Sequence, residues 1–500
     1  MTKTNSKKAL LSSAFALVLS AAMLIGTTFA WFTDTASTGV NKIVSGNLKV
    51  DIIGENSDSH IEKLNFKKTA ATDAEAGAAI LWEPGCRYLT EGFRIANKGN
   101  LALKWKAQVN MNNIINGKVE GSTIAKDGKS LLDVIDFYVV TSTDKNAEAV
   151  AIENFVGNLT AGAKSGVYYI KGVMQTTAGN DYQGLTLDGI TITVVATQDT
   201  VENDSFNNQY DKDAEYPILV TTGDELQAIV SNATAPVNIV LANSITTNNF
   251  VIPADKDVTL DLNGCTVTNA ESHTILNKGH LTLTDSSTDK SGQIISLKGN
   301  TAALRNGDNA VCVVEGGTIS RDGANGNTWH VVENFGKMTF NGGKVVLKNG
   351  NGFAITNGWN YPIPGFVPTT YAVMEINALE LDTDSSGIKN CRYGDLTVND
   401  VTVTSTGYWA LSNDYLGTAV INGGTLTSTS NETQAVSNGA AMTVNGGTFD
   451  GTTGGLFLQS YATSTVLNGG TYTNMNVDAL SNYVGTGHTA QQSGTSVIIK

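Results

Sequence analysis

The sequence predicts an all-β chain, with an N-terminal β-sandwich of jelly-roll type followed by a parallel β-helix solenoid. Three observations predict it. The phrase Asn-Gly-Gly recurs at Asn341–Gly343, Asn422–Gly424, Asn445–Gly447 and Asn468–Gly470, the last three copies 23 residues apart. Self-similarity at a fixed period of about 20–50 residues marks a stacked repeat array. Around each phrase apolar residues alternate with Thr, Ser and Asn, the period-two signature of half-buried strands. Finally, Asp199–Glu215 holds six acidic residues with Asn203, Asn207 and Asn208, which reads as a solvated linker (201–215) between two differently patterned halves.

At the amino end, Lys3, Lys7 and Lys8 precede an apolar run, Ala9–Ile25, and small residues at Thr28 and Ala30. That order predicts a secretory signal peptide cut between Ala30 and Trp31, with membrane contact only through the uncleaved precursor. Residues 31–200 show short alternating segments at Leu48–Ile52, Leu101–Val109, Phe137–Thr141 and Gly189–Ala196, separated by Gly/Asn turns. A sandwich is the natural way to bury such strands.

From residue 216 the solenoid begins. Gly223–Val230 is helix-like, with Asp224 placed to cap it, and precedes the first rungs at Asn238–Leu241 and Val258–Leu262. Aligning on the phrase gives three apolar columns: Leu396, Ala419, Met442, Thr465; then Val398, Ile421, Val444, Leu467; then Val403, Leu426, Phe449, Tyr472. Weaker upstream copies bring the count to nine turns, starting with Leu260, Leu262 and Val267. At about 4.8 Å per rung that is a rod on the order of 43 Å long. A second element places an aliphatic residue two positions before Asn277, Asn306, Asn334, Asn357, Asn390, Asn413 and Asn438, with Leu458 and Ser460 as the eighth copy. Stacked Asn amides can bond to their copies above and below, predicting a ladder at one corner. Ala479–Lys500 departs from the pattern and should close the far end, because open solenoid ends recruit other chains.

These repeats resemble right-handed β-helix modules of the pectin-lyase-like fold. The front end resembles the TasA/camelysin family of matrix and surface proteins. Gly26-Thr-Thr-Phe-Ala-Trp-Phe-Thr-Asp34 and Asn41–Val50 carry the likeness, with echoes at Trp82–Gly85, Phe93–Asn100 and Ile190–Gln198. The resemblance implies a SipW-type signal peptidase as processing partner. It also implies self-association, or joining fibres of a simpler relative, through residues 31–50.

The formal net charge is −14, and removing the first 30 residues takes three Lys, giving 29 − 46 = −17. Such a surface argues against nucleic acid and anionic membranes. No Leu-Pro-x-Thr-Gly signal is found, so covalent wall anchoring is not expected. Four cysteines invite a disulfide reading, but Cys265 and Cys312 fall two rungs apart, about 9.6 Å along the axis. Bridged Cα atoms sit at about 4.4–6.8 Å, so free thiols are expected. No His-Glu-x-x-His zinc motif occurs, the five His lack metal-ligand spacing, and neither metal nor cofactor is expected.

Two kinds of site compete. β-Helices of the resembled fold include lyases and glycoside hydrolases, whose chemistry needs converging carboxylates with Lys or Arg. Asp382, Asp384, Arg392, Asp400 and Asp414 are the candidates, with Asp395 beside them, but they share no column. A binding surface is the stronger reading: Gly358–Tyr371 inserts Trp359, Tyr361, Phe366 and Tyr371 between rungs, and Tyr408, Trp409 and Tyr415 fall two turns later. Aromatic rings there suit a glycan or a protein or other surface ligand, and packing as a lid over the core is the alternative. The chain therefore reads as a secreted, non-catalytic surface or biofilm-matrix protein, with an extracellular polysaccharide-degrading enzyme as the rival.

Overall fold

A computed structural model describes residues 48–61, 64–67, 80–110, 114–115, 118–119, 131–144, 147, 149–150, 155–185, 191–199, 216–360 and 366–500. Ala30, Trp31, the 201–215 linker and Tyr361 lie outside these described residues. The fold is all-β, and its carboxyl-terminal part is a parallel β-solenoid.

Each turn lays one strand on each of three sheets. The first face runs from Ile218–Val220 through eleven strands to Ser464–Leu467, the second from Ile245–Thr246 and the third from Val251–Ile252 to Leu456–Leu458. Eleven strands exceed the nine expected turns because Ile218–Val220 and Val237–Leu241 precede the solenoid's first Asn-Gly phrase, Asn263–Gly264. The three columns of the last turns stand in register as aligned: Leu396 opposite Ala419, Val398 opposite Ile421, Val403 opposite Leu426. Nearly all their members are fully buried in one continuous core. Upstream, the alignment needs one correction. Val258 and Leu260 pair with Leu281 and Leu283, so the column begins at Val258, and Leu262 belongs to the following corner.

Both glycines of the repeated phrase have a physical cause. The second, at Gly343, Gly424, Gly447 and Gly470, has φ between 92° and 110°, a region that costs side-chain-bearing residues energy. The first approaches the rung before it: a Cβ on Gly446 would lie 2.7 Å from the Asn422 carbonyl oxygen.

The Asn ladder forms as predicted. Asn277, Asn306, Asn334, Asn357, Asn390 and Asn413 each donate from Nδ2 to the Oδ1 of the next Asn, at 2.7–2.9 Å, ending on Asn438. Asn438 donates instead to Thr465 Oγ1 at 2.8 Å. The eighth copy is two residues off: Leu458, not Ser460, stands opposite Asn438, so the ladder stops at an apolar residue.

The ends are capped by different means. Helix α1, Gly223–Asn232, packs Leu226 and Val230 onto the first rungs. Its N-cap is Thr222, whose hydroxyl accepts from Glu225 N at 3.2 Å, while Asp224 sits in the first turn. This corrects the expectation for Asp224: a first-turn acid favours the dipole but cannot accept the same bond. At the far end, Ser496–Ile499 pairs antiparallel with Gly470–Tyr472, and Ala490–Ser493 pairs with it in turn.

The amino-terminal part is antiparallel. Val50–Gly54 pairs with Phe93–Asn97, and Leu103–Asn110 lies between Val156–Leu159 and Thr191–Gln198. Ile135–Val140 and Arg87–Thr90 flank Tyr169–Met174. Phe93, Trp105, Phe137, Phe155 and Met174 share a separate core.

Candidate functional site

The third sheet is built from triplets such as Leu304-Arg-Asn306, whose first and last residues face inward. The middle residue must then face out. Register lines up Arg305, Glu333, Thr356, Lys389, Ser412 and Ser437 as one outward column. Outward residues are normally wet, yet Glu333 is only 4% exposed and Thr356 and Ser437 2%. Side chains standing on both sides cover them, and the strip between those two rows is the candidate groove.

One wall comes from residues entering the third sheet. The Trp329 indole N–H donates to Glu333 at 2.9 Å, and Phe353 lies under the Lys389 ammonium at 5.0 Å. Tyr408 and Trp409 continue it. The other wall comes from residues leaving the sheet just after each ladder Asn. Phe335 lies under the Arg305 guanidinium at 4.5 Å and 5.4 Å from Trp359. Trp359 also meets Phe366 at 5.5 Å and Tyr393 at 6.3 Å, and Tyr393 meets Tyr371 at 5.6 Å. Tyr415 lies under Arg392 at 4.8 Å.

The structure therefore brings together Trp359, Phe366, Tyr371, Arg392 and Asp414 on one rim. It separates them from Trp409, which the sequence grouped with them, by placing the strand Leu411–Asn413 between. Trp359, Phe366 and Tyr371 belong to the wall and not to the solenoid core, and Tyr371 is 52% exposed.

The acids do not converge. Asp382, on the second sheet, pairs with Lys348 at 2.8 Å, and Asp384 accepts from Asn349 N at 2.7 Å. Asp400 occupies the corner between first and second faces, where later turns have Gly. Within the groove Glu333 pairs with Arg305 at 2.8 Å and Asp414 with Lys389 at 3.0 Å. Burial lowers the pKa of His273 and His330 on the entering side, so both favour the neutral form there. The four cysteines are unbridged. Burial pushes the thiols of Cys265, Cys312 and Cys391 up to about 12.

Sequence reasoning missed two features. Arg305, Glu333 and Lys389 were legible as the variable middle residue of each triplet. The Asn of the Asn-Gly-Gly phrase builds a second, outer ladder: Asn468 donates to Asn445, Asn445 to Asn422, then Asn399, Asn377 and Asn341, ending on Glu315. Among the described residues no cluster of three His, Cys, Asp or Glu could hold a metal ion. No helix among them is long and apolar enough to cross a membrane. Neither a family model, nor a curated protein, nor a solved structure matches the chain, so its activity has to be argued from the groove itself.

Proposed function

We propose that this chain is a secreted cell-surface or biofilm-matrix protein, structural or adhesive and without catalysis or a cofactor, that holds a glycan or other surface ligand in the third-face groove. In this reading the amino-terminal half is a TasA/camelysin-like jelly-roll sandwich, and the solenoid is right-handed. A SipW-type signal peptidase frees Trp31.

The observation that carries the non-catalytic reading is the pairing of acids. Hydrolysis of a glycosidic bond needs two carboxylates about 5–10 Å apart, one of them free to move a proton. Both groove carboxylates are instead tied to a cation, Asp382 lies on the second sheet paired with Lys348, and Asp384 and Asp400 stand at other corners.

The test is incubation of the mature full-length chain with pectin-like, cellulosic, chitinous and alginate-type polysaccharides. Reducing ends and the absorbance of unsaturated ends are followed. Neither should rise above the blank. Release of ends, abolished by Asp382→Ala, Asp400→Ala or Glu333→Gln, would establish the rival reading, an extracellular polysaccharide lyase or glycoside hydrolase.

A further inference from the structure

At the corner where the third sheet hands over to the first, apolar side chains stand in water on consecutive turns. Val367 is 68% exposed and Leu416 41%, with Tyr371, Val373 and Tyr415 exposed beside them. Tyr393 and Leu416 each follow a ladder Asn by three residues, and both hold a left-handed backbone, at φ 59° and 64°. Every other non-glycine residue with positive φ among the described ones is Asn or Lys, and Asn309, three residues after Asn306, is one of them. Asn suits that conformation, whereas a bulky residue is costly there and persists only where something offsets the cost. Packing within the chain does not offset it for Leu416, which is exposed and lies outside the core.

Two opposite charges in the turn between these apolar groups lack partners. The Arg392 guanidinium lies over the Tyr415 ring at 4.8 Å but enters no ion pair among the described residues, and neither does the exposed Asp395. The nearby Lys389 and Asp414 are satisfied by each other. Register sets Val373 opposite Asp395 and Asp395 opposite Thr418. Tyr371 and Val373 therefore lie one turn before the two charges, and Tyr415 and Leu416 one turn after.

We propose that this corner is a homodimer contact, on which a second copy of the chain packs side by side and antiparallel. A twofold axis perpendicular to the solenoid, passing between residues 393 and 394, sets Arg392 against the partner's Asp395 and Asp395 against the partner's Arg392. The same axis reverses the order of turns, so Val367, Tyr371 and Val373 meet the partner's Tyr415 and the partner's Leu416. Such an isologous contact closes at two copies. A formal charge of −14 makes copies repel each other elsewhere, which confines pairing to a place where opposite charges meet. Removing Leu416 from water is what offsets its backbone. The inference is independent of the glycan, of secretion and of the amino-terminal segment.

The test is sedimentation velocity on the chain starting at Trp31, with and without Trp31–Val40. Both should show a two-chain species that gains with concentration and that added salt weakens. Arg392→Glu or Asp395→Arg alone brings like charges together twice across the axis, and each should weaken pairing by about tenfold or more. Mixing the two variants should restore pairing, because each then offers the charge that the other lacks, and a misfolded variant could not do so. Leu416→Asn should weaken pairing while the unfolding midpoint holds or rises, since Asn accepts the left-handed backbone. A chain that never pairs, a single reversal that pairs as tightly as the parent, a mixture that stays unpaired, or full pairing in Leu416→Asn overturns the contact.

Discussion

Two stacks of the same side chain run along this molecule, and burial alone decides what each is worth. Asn390 donates to Asn413 Oδ1, to Gly394 O and to Thr418 O, all within the solenoid wall. Removing that amide takes a donor from two backbone carbonyls and the Asn413 Oδ1, and an acceptor from the Asn357 amide, where water cannot substitute. Leaving a buried polar group unmade costs about 1–3 kcal/mol, so Asn390→Ala should lower urea stability by at least that range. Asn422, in the outer ladder, makes a comparable bond at 2.7 Å on the exposed corner, where water replaces it. Asn422→Ala should cost under about 1 kcal/mol. Equal losses would mean that burial does not separate the two ladders. The histidines give a second residue-scale test. Burial, the leading cause, holds the folded pKa of His273 and His330 below the ordinary 6.5, against an opposing pull from Glu333. The unfolded chain therefore binds the more protons once the pH falls below about 6.5, and stability declines from there as acid is added. His330→Gln should flatten that decline in denaturant titrations between about pH 7 and 5. An unchanged slope would assign it to other groups.

At the scale of the element, the caps decide whether the solenoid associates through its ends. Gly470–Tyr472 would be a bare strand edge without Ser496–Ile499, whose Val497 and Ile499 close the core. Open edges of parallel sheets pair with other chains. Deleting residues 486–500 should therefore produce concentration-dependent association beyond a pair in light scattering, and a truncated chain that associates no further than the intact one would show that α1 and the remaining turns suffice. The same element scale explains what could be read in advance. Where the period is strict, from Leu396 to Tyr472, the inward columns of the first two faces were legible, because parallel rungs repeat one position per turn. Where the phrase decays, at Leu260 and at Leu458, the alignment slipped by two residues. A slip of two preserves the strand's alternation, so the pattern could not flag it. The groove was half legible for a related reason. Its aromatics are conspicuous in the Gly358–Tyr371 insertion, but its floor is the variable middle residue of each triplet. Its walls come from opposite ends of the same strands, which is why Trp359 and Trp409 looked like neighbours.

For the whole molecule, the solenoid and the amino-terminal half answer to different forces. A stacked array is stabilised rung by rung against its neighbours, and its second face is closed at the far end by Ser496–Ile499 on Gly470–Tyr472. If the chain assembles beyond a pair, the contact should come from elsewhere. On the proposed reading the contact is the amino-terminal segment that cleavage after Ala30 would free at Trp31. In β-augmentation such a segment completes the sheet of the next subunit. The chain starting at Trp31 should then form larger species with rising concentration, or join fibres of a simpler relative. Removal of Trp31–Val40 should abolish this while leaving the solenoid's unfolding transition in place. The precursor, with Ala9–Ile25 still attached, should not assemble in the same way, because its amino terminus is held back. The strand that covers Gly470–Tyr472 comes from Ser496–Ile499, so the cap deletion and the Trp31–Val40 deletion separate the two routes. Association of the first variant through bare rungs should survive loss of residues 31–40. Assembly of the intact mature chain beyond a pair should not. A mature chain that stays monomeric at every concentration and is indifferent to that deletion would leave a single displayed groove, and multivalent attachment would then have to come from the glycan.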